Sequence, residues 1–164
     1  MTYSFQGFGQ YKESDQASSL KMRDYKDATD LVLRGGYNVN TAVRRLTELE
    51  CERLQGFPDN WTLIGEPDEN GEHYWIDSTG KRKKVTSSAR YKALGNSIAT
   101  PFWRFLARRI VAQYEHDVTM GSLFDGIGGF PLVFSQCGCK PVWASEIEEF
   151  PMAVTKERFP EEDQ

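Results

Sequence analysis

Apolar positions along the chain fall into short runs of two kinds, some continuous or alternating and others spaced at three and four residues. The run Ser122-Leu123-Phe124 ends in Asp125-Gly126-Ile127-Gly128-Gly129, and apolar residues follow over 130–134 with helical spacing. This predicts a strand, a tight turn and a helix. A second strand is predicted over Pro141-Val142-Trp143-Ala144-Ser145, ending at Glu146, and then a helix over 149–158 with Phe150, Ala153 and Val154 inward. Phe102, Phe105, Leu106, Ile110 and Val111 recur at helical spacing and predict a helix packed on a sheet. Pro101 falls in its first turn, Ser97 or Thr100 caps it, and Arg104, Arg108 and Arg109 lie off the stripe. Upstream, Thr47 and Glu50 form a capping box, so a helix should begin at Glu48. Leu46 and Cys51 are placed as its hydrophobic staple, and Gly56 and Pro58 as its stop. Residues 87–94 predict one or two helical turns halted by Gly95-Asn96, and residues 73–77 and 83–86 predict a hairpin around Ser78-Thr79-Gly80. Before the break at 35–40, short strands are predicted at 17–21 and 29–33.

Composition narrows the class. At 164 residues, with 39% hydrophobic and 27% charged content, the chain can build one ordinary core or two small ones. No apolar run is long enough to span a bilayer, and the first residues carry no basic-then-apolar signal pattern. Cys51, Cys137 and Cys139 offer neither a zinc spacing nor an even disulfide set, and read as reduced thiols of a cytoplasmic protein. His73 and His116 stand alone, with no metal or catalytic pattern around them. A net charge of −4 argues against a uniformly basic coat. It leaves room for a local basic face at Lys81-Arg82-Lys83-Lys84, with Arg90 and Lys92 behind it, although such a run also reads as a solvated loop.

The glycine turn is the strongest chemical signal. Glycines there let the backbone take positive φ and approach a ligand, and the free N–H groups of the following helix start favour a polar or anionic group. Glu146 lies about 20 residues beyond, where nucleotide-binding βαβ units place an acid on ribose hydroxyls. A tight turn with no ligand is the plainer alternative.

Four stretches together resemble one family, the cytosine-5 DNA methyltransferases. Phe124-Asp125-Gly126-Ile127-Gly128-Gly129-Phe130 resembles their first motif and Trp143-Ala144-Ser145-Glu146-Ile147 their second. The stretch from Arg44-Arg45-Leu46-Thr47 to Gln55-Gly56-Phe57-Pro58 is similar to the ninth, and Arg90-Tyr91-Lys92-Ala93-Leu94-Gly95-Asn96-Ser97-Ile98 to the tenth. The end motifs precede the beginning motifs, as in circularly permuted members. The resemblance implies an α/β fold: a partial S-adenosylmethionine-dependent methyltransferase (Rossmann-like) fold plus part of a small target-recognition domain. Residues 1–42 would be the tail of the recognition region, 43–86 the capped helix and hairpin of the small domain, and 87–164 the partial cofactor-binding domain.

It further implies S-adenosylmethionine as cofactor and DNA as partner. Phe124, Gly126 and Gly128 would line the methionine side, with Asp125 and Gly129 in the same turn. Glu146 would take the ribose hydroxyls and Ile147 would pack on adenine, while Asn96 and Ser97 would close the pocket. Arg44, Arg45, Lys81, Arg82, Lys83 and Lys84 are the DNA-binding candidates. The family's Pro-Cys nucleophile, Glu-Asn-Val and Gln-x-Arg-x-Arg motifs do not occur, so no catalytic residue is assigned. The expectation is one part of a permuted methyltransferase, cut after the second motif. The alternatives are a subunit completed by a second polypeptide carrying Pro-Cys, and a non-catalytic DNA-binding relic.

Overall fold

In a computed structural model of the chain, the structure describes residues 2–7, 10–14, 30–34 and 42–163. The first element is a four-stranded antiparallel sheet of β1 (Thr2–Gly7), β2 (Gln10–Ser14), β3 (Asp30–Arg34) and β4 (Ala42–Arg44), in the order β2-β1-β3-β4. The strand expected at 29–33 thus appears one residue on, as β3, while the strand expected at 17–21 and the break at 35–40 lie outside the described residues.

Helix α1 (Glu48–Gln55) forms where the capping box places it. The Glu50 N–H donates to the Thr47 hydroxyl at 3.2 Å and the Thr47 N–H donates to Glu50 Oε2 at 2.8 Å. Gly56 ends the helix in the left-handed region. Leu46 packs against the cluster that contains Cys51, as a staple requires. A short antiparallel hairpin follows, β5 (Tyr74–Ile76) with β6 (Arg82–Lys84). Its turn is built on Asp77, whose Oδ1 accepts from the Thr79 N–H, the Thr79 hydroxyl and the Lys81 N–H at 2.9, 2.7 and 2.8 Å. Those bonds, the Thr79 hydroxyl first, hold the Asp77 carboxyl well below the usual carboxylate range.

Helix α2 (Ser87–Gly95) ends at the expected Gly95-Asn96 stop, with Asn96 as its C-cap. Helix α3 (Thr100–Val111) departs from its expected packing. Phe102 and Phe105 are 61% and 55% exposed, and Ile110 also faces outward, while Thr100 and Ala107 are buried. The reason is that α3 rests on another helix, α4 (Gly129–Ser135), rather than on a sheet. Trp103 meets Phe130 edge to face at 4.9 Å, which turns the Phe102–Phe105–Ile110 stripe away. Neither proposed cap serves α3: its N-cap is Ala99, and the Thr100 hydroxyl instead lies 3.1 and 2.8 Å from the Gln55 and Gly56 carbonyls, bracing the end of α1.

Strands β7 (Val118–Leu123) and β8 (Cys139–Ser145) are parallel, and α4 is the crossover between them. Both begin earlier than their apolar runs suggest, so Cys139 lies inside a strand and Phe124 lies beyond one. Helix α5 (Glu149–Arg158) has the expected bounds. After it the chain returns to β8, where the Ala144 N–H donates to Asp163 O at 2.9 Å and the Asp163 N–H to Val142 O at 3.1 Å. One edge of β8 is therefore partly paired, whereas no described strand pairs with the outer edge of β7.

The core unites these pieces. Cys51, Phe57, Trp61 and Ile64 pack with Leu94, Ile127, Leu132, Phe150 and Val154. The Trp61 indole N–H donates to the Ile127 carbonyl at 2.7 Å, so the segment after α1 holds the glycine turn directly. Glu52, fully buried, accepts through Oε1 from the Thr62 N–H, the Thr62 hydroxyl and Arg90 at 2.9, 2.5 and 3.0 Å, tying α1 to α2. The Tyr91 hydroxyl donates to Leu46 O at 2.5 Å, and burial pushes its pKa up to about 12.

Candidate functional site

Parallel sheets bind ligands at the carboxyl ends of their strands. At that end of β7 the chain turns through Phe124, a non-glycine residue at φ 53° and 87% exposed. A bulky side chain held in that region is strained and marks a place where the surroundings dictate the backbone. Gly126 follows at φ 62°, and a Cβ there would meet nothing within 4 Å, so its outer side is open space. Gly128 caps α4 and Gly129 is its first residue. A Cβ on Gly129 would lie 2.7 Å from Ile98 Cγ1, so the turn is pressed against the Gly-Asn-Ser segment.

Glu146, at the end of β8, closes on this turn. Its Oε2 accepts from the Gly126 N–H at 2.7 Å, and its Oε1 accepts from the Ile147 and Glu148 N–H groups at 2.7 and 2.9 Å. One carboxylate thereby fixes both strand ends with three accepted bonds, short of the roughly four a carboxylate can take. Ile147 is 88% exposed beside it. Asp125 points the other way. It is buried, its Oδ1 accepts from the Ser122 hydroxyl, and Thr155 Oγ1 lies 3.2 Å from its Oδ2. It anchors the turn to α5 from within, and burial pushes its pKa up.

The Gly-Asn-Ser segment reaches the same end of the molecule. Asn96 and Ile147 line one cavity of about 470 Å³, together with Trp75, Lys92 and Phe150. Lys92 pairs with Glu148 at 2.8 Å across it. The Ser97 N–H donates to Leu94 O at 3.0 Å, and Ser97 does not line this cavity. Asp125 and Glu146 line a smaller neighbouring pocket of about 100 Å³ with Met152 and Thr155.

The DNA-binding candidates are less free than the basic run suggests. Arg44 grips Glu50 at 2.5 and 2.7 Å, which holds the Glu50 carboxyl at about 2. Lys83 pairs with Asp77 and Glu149 at 3.0 and 2.8 Å, and Lys84 pairs with Glu72. Arg82 stacks over the Tyr74 ring at 3.8 Å. Lys81 is exposed and has no ion pair among the described residues. Arg45 is exposed beside Arg44, which donates to the Arg45 carbonyl at 2.8 Å.

Sequence reasoning missed Glu162. Both its carboxylate oxygens are buried without a hydrogen-bond partner. Burial, and then the charge of Asp125, push its pKa from the usual 4.5 up to about 7. Folding therefore favours the protonated form, and stability falls as pH rises from about 4.5 to about 7. Glu162→Gln is expected to melt with wild type at pH 4 and about 2–4 °C above it at pH 8. Thermal melts across that range check this; parallel curves would refute it.

The sequence model of the C-5 cytosine-specific DNA methylases matches residues 3–112 and 118–164. This chain belongs to that family. The break between the two matched segments falls in the link between α3 and β7. Three relatives align more locally. The DNA N-6-adenine-methyltransferase of Escherichia phage P1 is 29% identical over 63% of this chain and 23% of its own length. The type II methyltransferase M1.ScrFI of Lactococcus lactis subsp. cremoris is 26% identical, over 63% and 21%. The type II methyltransferase M.SsoII of Shigella sonnei is 25% identical, over 66% and 23%. The alignments span less than a quarter of each relative's length. The methylase-family fold is thus represented by the α/β unit around β7, α4 and β8, with helices α1 and α2 packed against it.

Proposed function

We propose that this methylase-family chain supplies the S-adenosylmethionine-binding part of a DNA cytosine-5 methyltransferase. The observation that carries the reading is the junction of Glu146 with Gly126 at the ends of two parallel strands, with Ile147 and Asn96 on one adjoining cavity. The residues fit such a cofactor. Gly126 leaves open space for its approach, Phe124 and Ile147 offer apolar surface, and the Glu146 carboxylate stands beside them to accept from a diol. When bound, the cofactor supplies an activated methyl group, and these residues hold and orient it. Cytosine as the target base follows the family; the phage P1 relative is named for adenine, so the base is part of what is tested.

The attacking thiolate is assigned to a polypeptide segment carrying Pro-Cys, absent from this sequence. Cys51 and Cys139 are buried, and burial pushes the Cys139 thiol up, the opposite of an activated nucleophile. Two features support completion by further polypeptide: the outward apolar stripe of α3 and the edge of β7 that no described strand pairs. No helix among the described residues is long and apolar enough to cross a membrane, and a cytoplasmic setting belongs to the same proposal.

The decisive assay is methyl transfer from labelled S-adenosylmethionine to cytosine-containing DNA, with this chain alone and with a Pro-Cys-bearing polypeptide added. Transfer only in the mixture supports the reading, and methyl label found on adenine refutes the cytosine assignment. In calorimetry, Glu146→Ala is expected to weaken S-adenosylmethionine binding by about 1–3 kcal/mol; unchanged affinity would remove Glu146 from the site. For DNA, Lys81→Ala with Arg82→Ala is expected to flatten the salt dependence of binding by about one to two phosphate contacts. An identical slope would make the hairpin tip a plain solvated loop.

A further inference from the structure

The hairpin β5–β6 lies between the ninth-motif and tenth-motif stretches, and neither accounts for it. Its strands alternate in the ordinary way. Tyr74 stacks with Arg82 and Ile76 is exposed, so Trp75 points to the opposite face, toward α5. There its ring meets Phe150 edge to face at 5.7 Å, and Lys83 lies 5.4 Å from the ring centroid. The placement is fixed rather than incidental. Lys83 and the Ser78 hydroxyl both bind Glu149, at 2.8 and 2.7 Å, clamping the hairpin to the start of α5. Trp75 thereby becomes a wall of the cavity that Asn96 and Ile147 also line.

We infer that Trp75 is a cofactor-contacting residue, giving an aromatic face to the adenine ring of an adenosyl ligand in this cavity. The inference rests on the cofactor reading above and adds a contact that reading lacks. The volume of about 470 Å³ is in the range of small-ligand pockets. The lining has nucleobase chemistry. Trp75 supplies a π-face and Ile147 an apolar one. The Asn96 amide, unpartnered among the described residues, can donate to and accept from a purine edge. Ile147 directly follows Glu146, so a ring beside Ile147 adjoins a ribose on Glu146. Hairpin docking and cofactor binding are then linked, because the Lys83–Glu149 clamp sets the position of the indole.

The test uses the full chain labelled with 5-fluorotryptophan, its four fluorine resonances assigned by single Trp→Phe variants. S-Adenosylhomocysteine and adenosine are each expected to move the Trp75 resonance, while methionine leaves it in place and Trp103 stays unmoved throughout. In calorimetry, Trp75→Leu is expected to weaken S-adenosylhomocysteine about tenfold or more, and Trp75→Phe to retain most of the affinity. Wild-type binding with a stationary Trp75 resonance would overturn the hairpin contact and leave the cofactor reading standing. No wild-type binding would overturn both. Because Trp75 also packs on Phe150, the fluorine shift in wild-type protein decides the matter should Trp75→Leu fail to fold.

Discussion

Arg90→Met is expected to destabilise the chain by about 3–5 kcal/mol, read as a lower midpoint in urea at an unchanged slope. Arg90 is the only cation bonded to Glu52 among the described residues, at 3.0 Å, and the Glu52 side chain is 0% exposed. Removing the guanidinium leaves a buried carboxylate whose Oε2 already lacks a hydrogen-bond partner. Arg90 Nε also donates to the Thr62 hydroxyl at 2.8 Å, so the loss extends to the segment that carries Trp61. Replacing Glu52 and Arg90 together by apolar residues is expected to recover most of the stability, since the cost lies in the unpaired charge. A single-variant loss below about 1 kcal/mol would show that this junction does not hold α1 to α2.

Gly126→Val is expected to obstruct cofactor binding while its cost in stability stays that of backbone strain alone. The residue sits at φ 62°, which a β-branched side chain tolerates at about 1–3 kcal/mol. No atom lies within 4 Å of the added Cβ, so nothing in the core is displaced. The new side chain fills the space beside Glu146 instead, and S-adenosylmethionine affinity is expected to drop at least about a hundredfold. Gly71→Val is the control, at φ 76° with equally open surroundings in a distant turn. Calorimetry on both separates backbone strain from obstruction. Equal effects on binding would remove Gly126 from the site.

The sequence is legible where one turn of chain decides the structure. The Thr47–Glu50 capping box, the glycine turn before α4 and the bounds of α5 each follow from residues within a few positions of one another. What the sequence hid is what depends on distant partners. The apolar stripe of α3 is real, but its spacing cannot say whether a sheet or a helix receives it, and Trp103 on Phe130 settles the rotation. Lys83 and Lys84 read as a basic patch because their acids, Asp77, Glu149 and Glu72, are not adjacent to them. Trp75 carried no signal as a wall of a cavity whose other sides come from α2 and the start of α5.

The bond from Trp61 to Ile127 spans 66 residues, and its direction along the chain matters during synthesis. Helices α1 and α2, with Trp61 between them, leave the ribosome before the glycine turn exists. The turn is then delivered onto a partner already made. With the motifs in the opposite order, the turn would emerge first and wait for its support across the whole domain, a longer closure and a slower one. The motif order is thus a timetable: the scaffold of the most strained loop of the site is made before the loop itself.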